Sequence, residues 1–252
     1  MNQQLSKVIY LTIDDSPSKD MQEKVNYLVK HHLPAIWYCR GEFMQHTLSP
    51  VIYAIERGFW IGNHSYSHPY FSQLSLEACI QEIQKTEALI DEAYRLAGVA
   101  RPFKLFRFPF GDKGGGKDFL KIYTTEEEER VNALQNFLKQ EGFQRALFER
   151  ITYSYYLKAG LDRQVDASWT FDTKDYVVLS PSSQQKSGLL RIEDFLNRMD
   201  RHDPEKGLGL NDPSSNDIVI LHDFEKTSFL FEPLIDKLLT KKLSFQLPSV
   251  GI

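Results

Sequence analysis

Short apolar runs alternate with amphipathic stretches along the whole chain. Residues 7–13 (KVIYLTI) are β-branched and aromatic, which predicts a buried strand stopped by the turn residues Asp14-Asp15-Ser16-Pro17. Met21, Val25, Leu28 and Val29 then recur at helical spacing, predicting a helix over 20–31 that ends before Pro34. Residues 35–39 (AIWYC) read as a second strand, 50–57 as a short helix closed by Gly58, and 59–61 as a third strand running into Gly62-Asn63-His64. The clearest helix follows. Ser75 is placed to cap it, Leu76, Ile80, Ile83, Glu87, Ile90, Tyr94 and Ala97 step by three or four, and Gly98 closes it. Glu87 is the one polar break in that stripe.

Residues 104–108 (KLFRF) predict a fourth strand that ends at Pro109-Phe110-Gly111. The stretch 111–165 is the least regular. Gly114-Gly115-Gly116 marks a loop; no Gly-Lys-Ser/Thr follows it, so a phosphate cradle is disfavoured. Thr125-Glu126-Glu127-Glu128 matches a capping box for a helix to about Gln140. Residues 145–159 read as a further helix or an insertion, whose tyrosines suit the core or rim. Beyond it, 167–171 is strand-like and ends at Asp172, 177–179 reads as a short strand, 189–199 as a helix and 206–216 as a loop. Residues 217–221 (DIVIL) are a strongly β run stopping at His222; 229–240 reads as a helix and 243–247 as a last strand. Strands alternating with helices imply a parallel sheet, open or closed into a barrel, with the ligand site at the carboxyl ends of the strands.

At 252 residues the expectation is one domain over 1–252, with an irregular insertion around 111–165. Thirty Lys and Arg against 34 Asp and Glu leave a formal charge of −4, so no basic field for nucleic acid exists. Cys39 and Cys79 sit among apolar residues and read as buried free thiols. No apolar run approaches the roughly 18 residues a membrane span needs. Residues 1–7 are polar and carry no secretory pattern, so the chain reads as cytoplasmic as it stands, or periplasmic or secreted if a leader has been removed. Oligomeric state is not legible.

Titratable residues follow most of the strands: Asp14 and Asp15, His64 and His68, Arg107, Asp172 and Asp175, and His222. Neighbouring strand residues point to opposite faces, so Asp14 and Asp15 reach one site only where the strand unravels at Ser16-Pro17. His64 and His68, at i and i+4, share one side of a helical turn, which Pro69 keeps short. Two His and one carboxylate form the ligand set of a catalytic zinc site, with a position left for water. Either aspartate can be the third ligand, and the other is then placed as a general base. His31 and His32 end a helix, and His46 and His202 lie in polar surroundings; none of the four reads as chemistry. His222 ends the most apolar strand and is a general-acid candidate.

These residues, in this order, resemble the polysaccharide deacetylases of the NodB-homology type, carbohydrate esterase family 4, from Val8 to Leu247. Thr12-Ile13-Asp14-Asp15 is similar to the first family motif. His64-Ser65-Tyr66-Ser67-His68, Arg107-Phe108-Pro109-Phe110 and Trp169–Tyr176 resemble the second to fourth, and Ile218–Asp223 the fifth. The resemblance implies a distorted (β/α) barrel of about seven parallel strands, TIM-barrel-like. It implies that Asp15, His64 and His68 bind a divalent metal, most often Zn2+, with Co2+, Ni2+ or Mn2+ as substitutes. It makes Asp14 the general base, held and kept ionised by Arg107. It makes the Phe110 backbone N–H an oxyanion donor. His222 becomes the general acid, oriented and raised in pKa by Asp175. Ile220, Tyr176 and Trp169 would line the substrate pocket. Ser16 replaces the usual Gly, Phe108 a common Pro and Tyr176 the usual Trp.

The implied activity is metal-dependent removal of N-acetyl groups from a glycan: chitin-like, poly-N-acetylglucosamine or peptidoglycan. Two other readings are the same amide hydrolysis on a small formyl or cyclic amide, with 111–165 closing the pocket, and a barrel that binds glycan without turnover.

Overall fold

The computed structural model describes residues 6–116, 118, 122–201 and 210–251. His202, residues 206–209 of the expected loop and the first five residues of the polar start lie outside them. In chain order the elements are β1 (Val8–Ser16), α1 (Met21–Lys30), β2 (Ala35–Cys39), α2 (Gly41–His46), α3 (Ser49–Ile55), β3 (Trp60–Asn63) and α4 (Leu76–Ala97). Then come α5 (Thr125–Gln140), β4 (Arg145–Leu147), α6 (Ser154–Lys158), β5 (Phe171–Asp172), α7 (Pro181–Ser187) and α8 (Ile192–Arg198). The last are β6 (Asp217–His222), α9 (Ser228–Thr240), β7 (Ser244–Phe245) and β8 (Ser249–Gly251).

Six strands form one parallel sheet in the order β3-β2-β1-β6-β5, with β7 also on β1. The central strand is the first apolar run of the chain, buried almost throughout because helices and the barrel interior cover both its faces. A distorted α/β barrel results. Residues 105–107 lie beside β3 at one end and bond to Ala167, four residues before β5, at the other. Asn63 N–H donates to the Leu105 carbonyl and Arg107 N–H to the Asn63 carbonyl, while Ala167 N–H donates to the Phe106 carbonyl.

The expected fourth strand is therefore present only as this closing segment, with a single bridge between Asn63 and Phe106. Pro102 and Pro109 bound it and supply no N–H for a longer ladder. Among the described residues the sheet has six strands, consistent with the expected distorted barrel.

Helix ends follow local chemistry. The Ser75 side chain accepts from Ala78 N–H, and Gly98 takes the left-handed conformation (φ 67°) that closes α4. The capping box of α5 is built by Thr124 with Glu127, one residue before the expected pair, because Thr124 has the extended backbone a cap requires. Residues 177–179 are not a strand. They belong to a 3-10 helix, Asp175–Leu179, because Lys174 turns the chain at φ 59° and the carboxylate of Asp175 is anchored at His222. The 145–159 stretch divides into β4, antiparallel to β8, and the short α6. Helix α7 and strand β8 carry too little apolar pattern to be seen in sequence.

The 111–165 segment backs the barrel closure. Leu134 and Leu138 of α5 pack with Phe71, Phe106 and Phe108, and Gln144 N–H donates to the Lys104 carbonyl. Both cysteines are buried free thiols. Among the described residues no helix is long and apolar enough to cross a membrane.

Candidate active site

Asp14 and Asp15 leave the central strand together. Alternation would send them to opposite faces, but Asp15 has φ 64° and the β1–β2 register shifts between Ile13 and Ser16. That left-handed residue turns both carboxylates into one cavity. Ser65, His68 and Phe110 also have positive φ (62°, 58° and 57°). Left-handed backbone at non-glycine residues costs about 1–3 kcal/mol each and persists where surrounding contacts enforce it.

The contacts around the histidines do so. The polar break in α4 now has a use: the Asn63 amide donates to the Ile83 carbonyl and to Glu87, and its oxygen accepts from Ser65 N–H. Glu82 accepts from the Tyr66 and Ser67 N–H groups. The 64–68 stretch is therefore a braced bend and not the helical turn expected from the spacing. It still brings the imidazoles together, with Nε2 atoms 3.2 Å apart.

His64 Nδ1 lies 2.8 Å from the Arg107 carbonyl. A carbonyl can only accept, so Nδ1 carries the proton and Nε2 offers its lone pair to the cavity. His68 Nε2 is 3.4 Å from Asp15 Oδ1. One ligand atom each from Asp15, His64 and His68 lies within 4.8 Å of the others, and Asp15 Oδ1 is buried with no hydrogen-bond donor. Burial pushes the His64 imidazole well below its usual range. Burial, with the His64 and Arg40 charges, takes His68 to about 2. Burial raises Asp15 to about 6, against the opposing charges of His222 and Arg40. Two neutral imidazoles and a carboxylate, converging without a donor among them, fit a divalent metal.

Asp14 is held from behind. Arg107, 1% exposed, donates through Nη1 to Asp14 Oδ1 and Thr12 Oγ1 at 2.8 Å each. Its Nε and Nη2 reach the Ala167 and Ser168 carbonyls at 3.0 and 3.1 Å. With its donors so placed, the guanidinium fixes the carboxylate's orientation. Asp14 Oδ2 is then 3.4 Å from His64 Nε2.

The third constellation ends β6. His222 Nδ1 donates to Asp175 Oδ1 at 2.7 Å, and its backbone N–H to Oδ2 at 2.8 Å. Burial alone lowers this imidazole. The Asp175 charge and hydrogen bond, with Asp172 and Asp15 behind them, outweigh it and raise His222 to about 10. It stands protonated at neutral pH. Burial also raises the neighbouring Asp172.

Asp14, Asp15, His64, His68 and His222 face one cavity of about 400 Å3. Trp169, Tyr176 and Ile220, expected at the pocket, line it, and so does Phe110. The Phe110 ring stacks on Tyr70 with centroids 4.1 Å apart, and Tyr176 packs edge-on to His222 at 4.8 Å. Arg107 and Asp175 stand behind the wall as positioning groups.

A family model described as polysaccharide deacetylase matches residues 2–125, which carry Asp14, Asp15, both histidines and Arg107. Over that stretch, just under half of the chain, the sequence is similar to the polysaccharide deacetylase family. Among curated relatives, the peptidoglycan-N-acetylmuramic acid deacetylase PdaC of Bacillus subtilis is 31% identical over 100 residues. That match spans 38% of this chain and only 21% of the relative's length. A family 4 carbohydrate esterase from Streptomyces lividans, solved with acetate, superposes with a TM-score of 0.58 at 22% identity, covering 96% of this chain and 93% of that one. A family 4 pseudoenzyme from Bacillus anthracis superposes with a TM-score of 0.60 at 18% identity, covering 96% and 64%. At these identities the likeness establishes the fold, and a polysaccharide deacetylase fold can therefore exist without turnover.

In this chain, every site residue singled out in the sequence is at the cavity or directly behind it. Missed were Arg40, Tyr70, Leu179 and Phe224, which also line it. Arg40 had a readable signal, a charge immediately after strand β2; the others sit in loops and a 3-10 helix without periodicity. His46 lines a separate depression with Phe43 and Pro50. Among the described residues, none between 111 and 165 lines the cavity, so the expectation that this segment closes the pocket is not met. It packs behind the closing segment instead.

Proposed function

We propose that the protein is a metal-dependent hydrolase that removes N-acetyl groups from a glycan. The observation that carries this is a carboxylate fixed by Arg107 (Asp14) and an imidazole paired with Asp175 (His222) on one cavity with the Asp15/His64/His68 set. Asp15, His64 and His68 would hold the metal, with zinc suiting two nitrogens and one oxygen; Co2+, Ni2+ or Mn2+ are substitutes. Bound there, it would polarise the amide carbonyl and acidify water.

The chain's own groups supply the rest. Asp14, oriented by Arg107, takes a proton from the attacking water. His222 gives its proton to the departing amine, turning a poor leaving group into a neutral one. The Phe110 N–H, in the tight turn at Pro109–Gly111, would donate to the developing oxyanion. Ile220, Trp169 and Leu179 give the acetyl methyl an apolar wall. Base and acid each contribute about 10²–10⁴ in rate.

N-acetylated glycan is favoured over a small amide because none of the described residues between 111 and 165 lines the cavity. Peptidoglycan is favoured by the relative from Bacillus subtilis. The test is acetate release from N-acetylglucosamine oligomers and peptidoglycan fragments, using zinc-loaded protein beside a chelated control. Acetate lost on chelation is the expected result. Sugar binding without acetate from fully metal-loaded protein would instead place this chain with the non-catalytic members of the fold.

A further inference from the structure

Arg40 has no part in the chemistry above, yet it lines the cavity beside the metal ligands. It follows β2 directly, and its backbone N–H donates to the Ser16 carbonyl at 2.7 Å, which fixes it against the turn that carries Asp15. The guanidinium carbon lies 4.3 Å from the centroid of the Phe43 ring, a cation–π contact that holds its plane. Glu42 takes one terminal nitrogen. The other, Nη1, is 3.6 Å from Asp15 Oδ1, beyond hydrogen-bond reach, and Nε is buried with no partner. The side chain is only 14% exposed.

A nearly buried guanidinium with unused donors is costly unless something accepts from it. The groups it faces do not remove the need. Asp15 is the oxygen ligand of the cation site, Asp14 is engaged by Arg107, and Asp175 by His222. Asp172 already accepts from Lys174 N–H. Arg40 is thus ion-paired with Glu42 through Nη2 and faces Asp15 through Nη1, which lies at the cavity without a hydrogen bond of its own and can turn to an incoming carboxylate.

We propose that Arg40 is a specificity-determining residue that receives a carboxylate of the substrate next to the scissile acetamide. This deepens the deacetylase reading and rests on it. The chemistry selected is an N-acetylated sugar whose neighbouring position carries a carboxylate-bearing ether, in preference to a neutral N-acetyl sugar. Carboxylate and acetamide then engage adjacent parts of one cavity, the first at Arg40 and the second between Asp14 and His222.

The test compares N-acetylmuramic acid with its methyl ester, which differs only in that charge, on zinc-loaded protein. Wild type should favour the acid, and Arg40→Gln should lower the acid-to-ester ratio of kcat/KM at least tenfold, mainly through KM. Arg40→Lys, which keeps charge without the planar fork, should recover part of it. Equal losses on both substrates would mean that Arg40 acts only on Asp15, and an unchanged ratio would mean that it meets no carboxylate; either overturns the proposal. Calorimetric binding of the two sugars is measured in parallel. If neither is hydrolysed, acetate release from the oligomers and peptidoglycan fragments above decides the deacetylase reading by itself. The anchor is then judged on binding: a preference for the acid that Arg40→Gln abolishes sustains it, and no preference refutes it.

Discussion

Replacing Asp175 with Asn isolates the charge that would ready His222 as the general acid. His222 is raised from its ordinary 6.5 to about 10 despite burial, which pulls the other way. The difference corresponds to roughly 5 kcal/mol at 1.36 kcal/mol per unit, shared among Asp175, Asp172 and Asp15, with Asp175 the nearest. Asn keeps the shape and one acceptor but loses the charge, and its amide can meet the His222 N–H that Oδ2 now accepts. With burial less opposed, the imidazole should fall to about 6.5 or below. At pH 8 a group of that pKa is only about 3% protonated, so kcat should drop about thirtyfold, and far less at pH 6. The pH profile of kcat is the assay: the alkaline limb should move down by several units. Stability should follow the same logic. A raised imidazole pKa stabilises the fold fully below the unfolded value and loses that contribution as pH rises through about 10. The variant's deficit in denaturant unfolding should therefore be largest below about pH 6.5 and vanish near pH 10. An unmoved alkaline limb would refute the assignment of His222 as an acid tuned by Asp175.

Asp14→Asn should lower kcat by about 10²–10⁴ while bound metal and the circular dichroism spectrum persist; retained turnover would end its role as base. His68→Ala should reduce zinc affinity by more than the 10–100-fold that loss of an outer partner costs, read by metal analysis after dialysis. Full retention of metal would show that the ion sits elsewhere. Gly62→Ala places a Cβ 2.5 Å from two carbons of the Tyr38 ring, so it should destabilise by about 1–3 kcal/mol in urea unfolding. Tyr38 lies under Arg107, 4.4 Å from its guanidinium carbon, so activity should fall as well.

Much of this was readable because the reactive residues end strands whose patterns are strong. β1, β2 and β6 are apolar runs bounded by turn residues, and α4 and α5 have caps and stripes. What hid from the sequence was set by tertiary contacts. Residues 105–107 are a strand in function but gain only a bridge, because prolines bound them. Val177 and Val178 favour strands, yet the anchoring of Asp175 winds them into a 3-10 helix. The spacing of His64 and His68 pointed to a helical turn, and the observed bend depends on Glu82 and Asn63, which no local pattern reveals. The choice between Asp14 and Asp15 could not be made from alternation alone, since it turns on one left-handed residue.

The central strand joins near and far parts of the chain. Its β2 flank is local, whereas its β6 flank is made by contacts such as Thr12 Oγ1 to the Val219 carbonyl, 207 residues apart. Closing a loop of that length costs roughly 5 kcal/mol of chain entropy before any contact rewards it, so pairing of β1 with β6 should come late. The three residues able to hold a cation lie in the early half, between Asp15 and His68, while His222 arrives with β6 and its partner Asp175 precedes that strand. A folding intermediate with β1, β2 and β3 paired and β6 unplaced would hold every ligand for the cation and no proton donor for the amine. Metal capture can then precede catalytic competence, and the half-folded chain would be loaded but inert.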